Sequence, residues 1–84
     1  MPIQFIAPAA GSTVPPQFPV VIGYSGVGED CTLFCTIEGV TFETVVIDGS
    51  GSWTTPAFNP SPGPQMIDAA TSLGDLISEE VNVS

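Results

Sequence analysis

The stretch CTLFCTIEGVTFETVVI, residues 31–47, decides the fold class of this chain. Apolar and polar residues alternate along its first half, as they do in a strand with one buried face. The apolar set, which we expect in the core, is Cys31, Leu33, Cys35 and Ile37. Glu38-Gly39 fits the turn of a β-hairpin, so residues 31–38 and 40–47 are predicted to be paired strands.

Short segments rich in β-branched residues make up the rest of the chain, divided by nine Gly and nine Pro residues. Further strands are predicted at residues 3–7, 18–24, 53–58, 65–71 and 76–83, with loops at 9–16, 48–52 and 59–64. Pro19 places the second of these strands at a sheet edge or at a strand opening, and Glu79 interrupts the apolar face of the last one. We therefore predict an all-β chain, a two-sheet sandwich of about seven strands that forms a single domain over residues 1–84.

Nine acidic residues and the complete lack of Lys, Arg and His give the chain a formal net charge of −9. Counterion release on nucleic acid needs Lys or Arg, and anionic membranes attract the same residues, so we expect no nucleic acid and no membrane as partner. The common general bases near neutral pH are missing, and we predict that the chain is not an enzyme. Neutral surfaces, basic protein patches and divalent cations stay open as partners, as does the simpler explanation that acidity keeps the protein soluble.

The cysteines and carboxylates suggest no cofactor. Cys31 and Cys35 would lie roughly 13 Å apart on one strand face, beyond the ~7 Å Cα limit of a disulfide, so we expect buried thiols. A zinc site would need further soft ligands. A calcium site where Glu29-Asp30 or Asp75 meets another carboxylate stays open beside the simpler interpretation of solvated loop carboxylates.

A series of turn and packing motifs runs through nearly the whole chain. The motifs are Ile3 to Ala7-Pro8, Gly11-Ser12-Thr13-Val14, Gly23, Asp48-Gly49-Ser50-Gly51-Ser52-Trp53, Gly63 and Ala69. Together they resemble the bacterial and phage immunoglobulin-like domains of the Big type, although Leu73-Gly74-Asp75 departs from the Gly-Asn usual in the last hairpin. The resemblance implies an immunoglobulin-like β-sandwich and says almost nothing about function.

Domains of this kind occur in bacterial adhesins and secreted hydrolases, and in the structural proteins of tailed phages. The N-terminus MPIQFIAPAAG has no basic region, so no secretory signal is expected, and a copy without an export signal is more similar to the phage case. We therefore expect a non-enzymatic virion structural or decoration protein, assembled in the host cytoplasm and attached to a capsid or tail protein lattice or to copies of itself. The alternative is a glycan-binding or adhesion module of an extracellular bacterial protein at the cell surface.

Candidate binding residues lie in the two predicted edge strands, which contain no charge. An edge strand without a charged guard is either an aggregation liability or an interface, so we assign the interface to Ile3, Phe5, Phe18 and Val20. Structural roles in the turn and core are assigned to Gly51, Trp53, Cys35 and Leu33. Trp53 could instead stack on a sugar ring, and this alternative stays open.

Overall fold

The computed structural model describes residues 3–26, 28–47 and 49–84. These residues form eight β-strands, and none of them is helical. The strands are β1 (Ile3–Ala7), β2 (Thr13–Val14), β3 (Val21–Tyr24), β4 (Cys31–Ile37), β5 (Val40–Val46), β6 (Gly51–Thr54), β7 (Gly63–Thr71) and β8 (Leu76–Val83). The all-β prediction is confirmed.

The strands form two sheets, one of three strands in the order β1-β3-β6 and one of five in the order β2-β8-β7-β4-β5. Neighbouring strands run antiparallel except β2 and β8, which run parallel. Buried side chains from both sheets form one hydrophobic cluster. This arrangement is consistent with a β-sandwich, in which the inner faces of two sheets make the core.

The chain passes from one sheet to the other between β1 and β2. The peptide bond between Ala7 and Pro8 is cis, and β2 then pairs with the end of β8. Our prediction that residues 9–16 form only a loop is therefore wrong. Val14 is 5% exposed, and its carbonyl accepts a hydrogen bond from the Ser84 amide at 3.0 Å. The short strand therefore contributes to the core and satisfies the backbone amide that follows β8.

The hairpin of β4 and β5 forms as predicted. Glu38 and Gly39 have φ angles of 50° and 79°, which is the positive-φ pair that a two-residue type I′ turn requires. Seven residue pairs follow without a register shift, from Ile37 opposite Val40 to Cys31 opposite Val46. The predicted core face of β4 is confirmed, since its four apolar residues are at most 6% exposed.

Of the two positions predicted for the strand at residues 18–24, a sheet edge or a strand opening, the sheet edge is wrong. β3 begins at Val21 and lies between β1 and β6, so Pro19 precedes the strand and removes no ladder hydrogen bond. Phe18 forms an isolated antiparallel bridge with Phe58. The strand predicted at residues 53–58 is observed as β6, which begins two residues earlier, within the predicted loop, and ends at Thr54. A four-residue strand bonded on both sides becomes the centre of the smaller sheet.

Candidate interaction surfaces

The four predicted interface side chains point into the protein instead of outward. Ile3, Phe18 and Val20 are 2%, 4% and 0% exposed, and Phe5 is half-buried against the same core. These side chains therefore contribute to the core, while the interface assigned to these strands stays a prediction. A small domain buries a limited share of its surface, so uncharged strand faces are needed for the core before they are available to a partner.

The residues predicted to be structural lie within the sheets. Leu33 and Cys35 are fully buried. Trp53 is half-buried, lies opposite Ile22 and packs against the core. A Cβ atom on Gly51 would lie 2.9 Å from the hydroxyl oxygen of Tyr24, so glycine here leaves room for the tyrosine ring. These contacts favour a packing role for Trp53, because its position on the core side leaves less of the indole to stack on a sugar.

The two cysteines are free and buried. The pKa of the Cys35 thiol is raised to about 12, mainly by burial and to a smaller extent by the nearby Asp68 and Glu79. Burial is also the main cause of the raised pKa of Cys31, followed by Asp75. Because the thiolate is the reactive form of cysteine, both side chains are suited to packing and poorly suited to nucleophilic chemistry.

Among the described residues, no group of three or more His, Cys, Asp or Glu side chains lies close enough together to hold a metal ion. One carboxylate, Glu38, holds the β4–β5 turn against the loop that precedes β7. Its carboxylate accepts hydrogen bonds from the Ser61 amide at 2.8 Å, the Ser61 hydroxyl at 2.8 Å and the Gln65 side-chain amide at 2.7 Å. These donors, the Ser61 amide first, lower the pKa of Glu38. No local pattern indicates this contact, because it joins residues 23 and 27 positions apart in the sequence.

Glu79 interrupts the inner face of β8, as the alternation of the sequence predicts. It lies opposite Ile67 and between Ile77 and Val81 on the same face of the strand. Its Oε2 atom is buried and has no hydrogen-bond partner, and burial raises the pKa of this carboxyl group. The side chain is only partly enclosed, so it faces the margin of the core.

The outer face of the five-stranded sheet carries apolar side chains from four strands, and we call this set the outer-face patch. Phe34 is half-buried, its cross-strand neighbour on β7 is Ala70, and Ala70 lies opposite Leu76. Val45 is diagonal to Phe34 on β5. Val45 and Leu76 are 67% and 61% exposed. Contiguous exposed apolar side chains of this kind mark interaction sites more often than scattered ones do.

Carboxylates and polar pairs surround the outer-face patch. Glu43 lies directly opposite Phe34. The next row across the sheet is polar: the hydroxyls of Thr36 and Thr41 are hydrogen-bonded at 2.8 Å, and the Ser78 hydroxyl donates to Asp68 at 2.6 Å. Since the chain contains no Lys, Arg or His, every charged side chain at this rim is negative. The site therefore combines an apolar centre with an acidic border.

Sequence reasoning found only part of this site. Alternation along β4 puts Phe34 on the face opposite the core residues, but its neighbours depend on which strands pair. The pairing of β4 with β7 joins residues such as Phe34 and Ala70, which no local pattern brings together. The exposed valine and leucine of the patch could have been noticed as apolar residues at outward positions.

Comparison with known proteins yields no relative. No family model, curated protein or solved structure matches this chain. Within the described residues, no helix is long and apolar enough to cross a membrane.

Proposed function

We propose that this chain is a non-enzymatic attachment module with an immunoglobulin-like sandwich fold. The strand order supports this fold: labelled along the chain, β1, β3 and β6 take the places of strands A, B and E. The second sheet then follows the order A′-G-F-C-C′, which extends the C-F-G sheet of such domains. The sequence motifs described above support the same class.

The outer-face patch is the observation that carries the attachment function. A domain of 84 residues uses its inner sheet faces for the core, yet an aromatic ring and three aliphatic side chains lie together on an outer face. An acidic rim repels a second acidic copy and favours a partner with Lys or Arg around an apolar centre. The partner is therefore a protein surface that is basic at its border with this face.

The larger assembly that we propose is a virus particle, on which the chain would be a structural or decoration protein bound to the capsid or tail lattice. The resemblance to phage immunoglobulin-like domains supports this setting. A regular lattice also offers many copies of one surface, so a single modest patch per module is sufficient to coat it. The alternative, a glycan-binding module, has weaker support because Trp53 packs against the core.

Sedimentation with particles tests the proposal. Particles assembled from a genome that lacks this reading frame are mixed with the purified chain and spun through sucrose. We expect saturable cosedimentation of the wild type and of Ile6→Ser, which removes an aliphatic side chain that is 54% exposed on the other sheet. Leu76→Ser, at 61% exposure in the patch, should bind several-fold more weakly.

Two results would contradict the proposal. The first is a chain that stays at the top of the gradient at every concentration. The second is binding of a sugar on a glycan array that Trp53→Ala abolishes without unfolding the protein, because this result favours the adhesion module.

A further inference from the structure

The margins of the two sheets differ in how well they are protected from strand addition. β1 has a register shift between Phe5 and Ala7 and is followed by Pro8, β6 has four residues, and the free margin of β8 is partly covered by β2. β5, in contrast, is seven residues long and pairs with β4 without a shift. Residues 40–47 contain no proline and one charge. Bulges, prolines and short length are the usual guards of an edge, and β5 has none of them.

The backbone groups that β5 presents at this edge follow from the hairpin. The pair next to a two-residue turn, Ile37 and Val40, is the hydrogen-bonded type, and such pairs alternate along an antiparallel ladder. Val40, Phe42, Thr44 and Val46 therefore direct their N–H and C=O groups to β4. Thr41, Glu43 and Val45 direct theirs away from it, and the side chains of the same three residues lie on the outer face.

Charge decides which strand fits this edge. Each copy of the chain has a formal net charge of −9, and a symmetric antiparallel pair of β5 strands about their midpoint would place Glu43 opposite Glu43. Like charges directly opposite each other destabilise a pair of strands. A strand from another protein with Lys or Arg opposite Glu43 and an apolar residue opposite Val45 gains both cross-strand contacts, and it continues the outer-face patch.

We propose that β5 is a docking edge for an extended segment of a partner protein, which joins the five-stranded sheet as a further strand and carries a basic residue opposite Glu43. This inference rests on the proposed attachment function and names the way in which the partner is held. Main-chain hydrogen bonds supply the affinity of such strand addition, and alternate side chains supply its specificity.

Synthetic peptides test the edge directly. The probe is the peptide Ser-Thr-Val-Thr-Lys-Thr-Val-Thr-Ser, which places Val opposite Val45 when its Lys lies opposite Glu43. Its binding is followed by amide chemical shifts and hydrogen exchange of the ¹⁵N-labelled chain. We expect shifts along β5 and slower exchange of the Glu43 and Val45 amides. A peptide with Glu in place of Lys should bind roughly three- to ten-fold more weakly, and a version N-methylated at alternate residues should not bind, because it cannot complete the ladder.

Variants of the edge provide the controls. Glu43→Pro removes an amide that faces outward and leaves the β4 ladder intact, and Glu43→Lys reverses the charge; both should lose the preference for the basic peptide. Glu80→Lys makes the same charge change on β8 and should keep it. Circular dichroism melts check that each variant folds. If Glu43→Pro does not fold, Glu43→Lys alone is used to test the edge.

The outcomes separate this inference from the proposed function. Peptide-induced shifts outside β5, equal affinity for the Lys and Glu peptides, or self-association through β5 in sedimentation equilibrium would each overturn the docking edge. If Glu43→Pro and Glu43→Lys cosediment with particles as well as the wild type, attachment stands and strand addition fails. If the peptides bind at β5 but the chain does not bind particles, the virion proposal fails and the docking edge stands.

Discussion

Glu79 tests how much the burial of an ionised carboxylate destabilises this domain. We predict that Glu79→Gln stabilises the folded state at neutral pH. The ionised carboxylate lies among apolar neighbours with Oε2 buried and unpaired, so the folded state bears a desolvation cost that the unfolded chain does not. Glutamine keeps the shape and removes the charge. Glu80→Gln is the matched control, because Glu80 is exposed on the outer face of the same strand and loses the same unit of charge.

The magnitude follows from the partial enclosure of the side chain. A fully buried and unsatisfied polar group costs about 1–3 kcal/mol, and solvent screening at a partly exposed carboxylate reduces this figure. We therefore expect the free energy of unfolding of Glu79→Gln to exceed that of Glu80→Gln by about 0.5–1 kcal/mol. In a domain of this size, that difference raises the melting temperature by roughly 2–8 °C.

The pH dependence gives the prediction its sign. Burial raises the pKa of Glu79 in the folded state, so its contribution to stability is largest when the group is protonated and is lost as pH rises through the folded pKa. The advantage of Glu79→Gln over Glu80→Gln should be present at pH 7 and absent below the unfolded pKa of about 4.3. Urea melts at both pH values measure it. Equal free energies of unfolding for the two variants at pH 7, or a difference that persists in acid, would refute the reasoning.

Further substitutions test other contacts. Thr55→Val leaves the buried Val20 amide without its acceptor at 2.9 Å and should cost about 1–3 kcal/mol in urea melts, whereas Thr55→Ser should cost less. Trp53→Ala should cost about 3 kcal/mol; normal stability would contradict its packing role. Glu38→Gln should lower the melting temperature at pH 7, and the loss should vanish in acid because the pKa of Glu38 is lowered. Moderate salt should raise the wild-type melting temperature by screening like charges; an unchanged value would count against repulsion.

Local patterns were sufficient for the parts of the fold that depend on neighbours in sequence. The alternation from Cys31 to Ile37 predicted the buried face of β4, and Glu38-Gly39 predicted the turn, because both signals arise within a few residues. The interruption of the inner face at Glu79 was visible for the same reason. Asp48, in the predicted turn at residues 48–52, lies outside the described residues.

Positions within a sheet could not be predicted in the same way. An uncharged segment such as β3 looks the same whether it lies at an edge or in the centre, and only its two neighbours decide between them. β2 was missed because two residues give no period, and its pairing partner is nearly 70 positions away, as in the pair of Thr13 with Asn82. The lack of charge in the predicted interface residues is explained by burial of their side chains.

The outer faces of the two sheets explain why binding is assigned to the larger one. On the smaller sheet, a Cβ atom on Gly23 would meet the Ile6 side chain at 2.9 Å, so Ile6 already covers the centre of that face, and Gln4 and Ser52 flank Gly23 on the neighbouring strands. On the larger sheet the half-buried Phe34 lies on the outer face of β4, next to the edge strand β5 and beside Ala70 of the central strand β7. An aromatic ring at that place contributes nothing to the inner core, and the edge next to it is the least guarded of the described margins. Patch and edge therefore make one surface, and a partner strand on β5 would cover part of both.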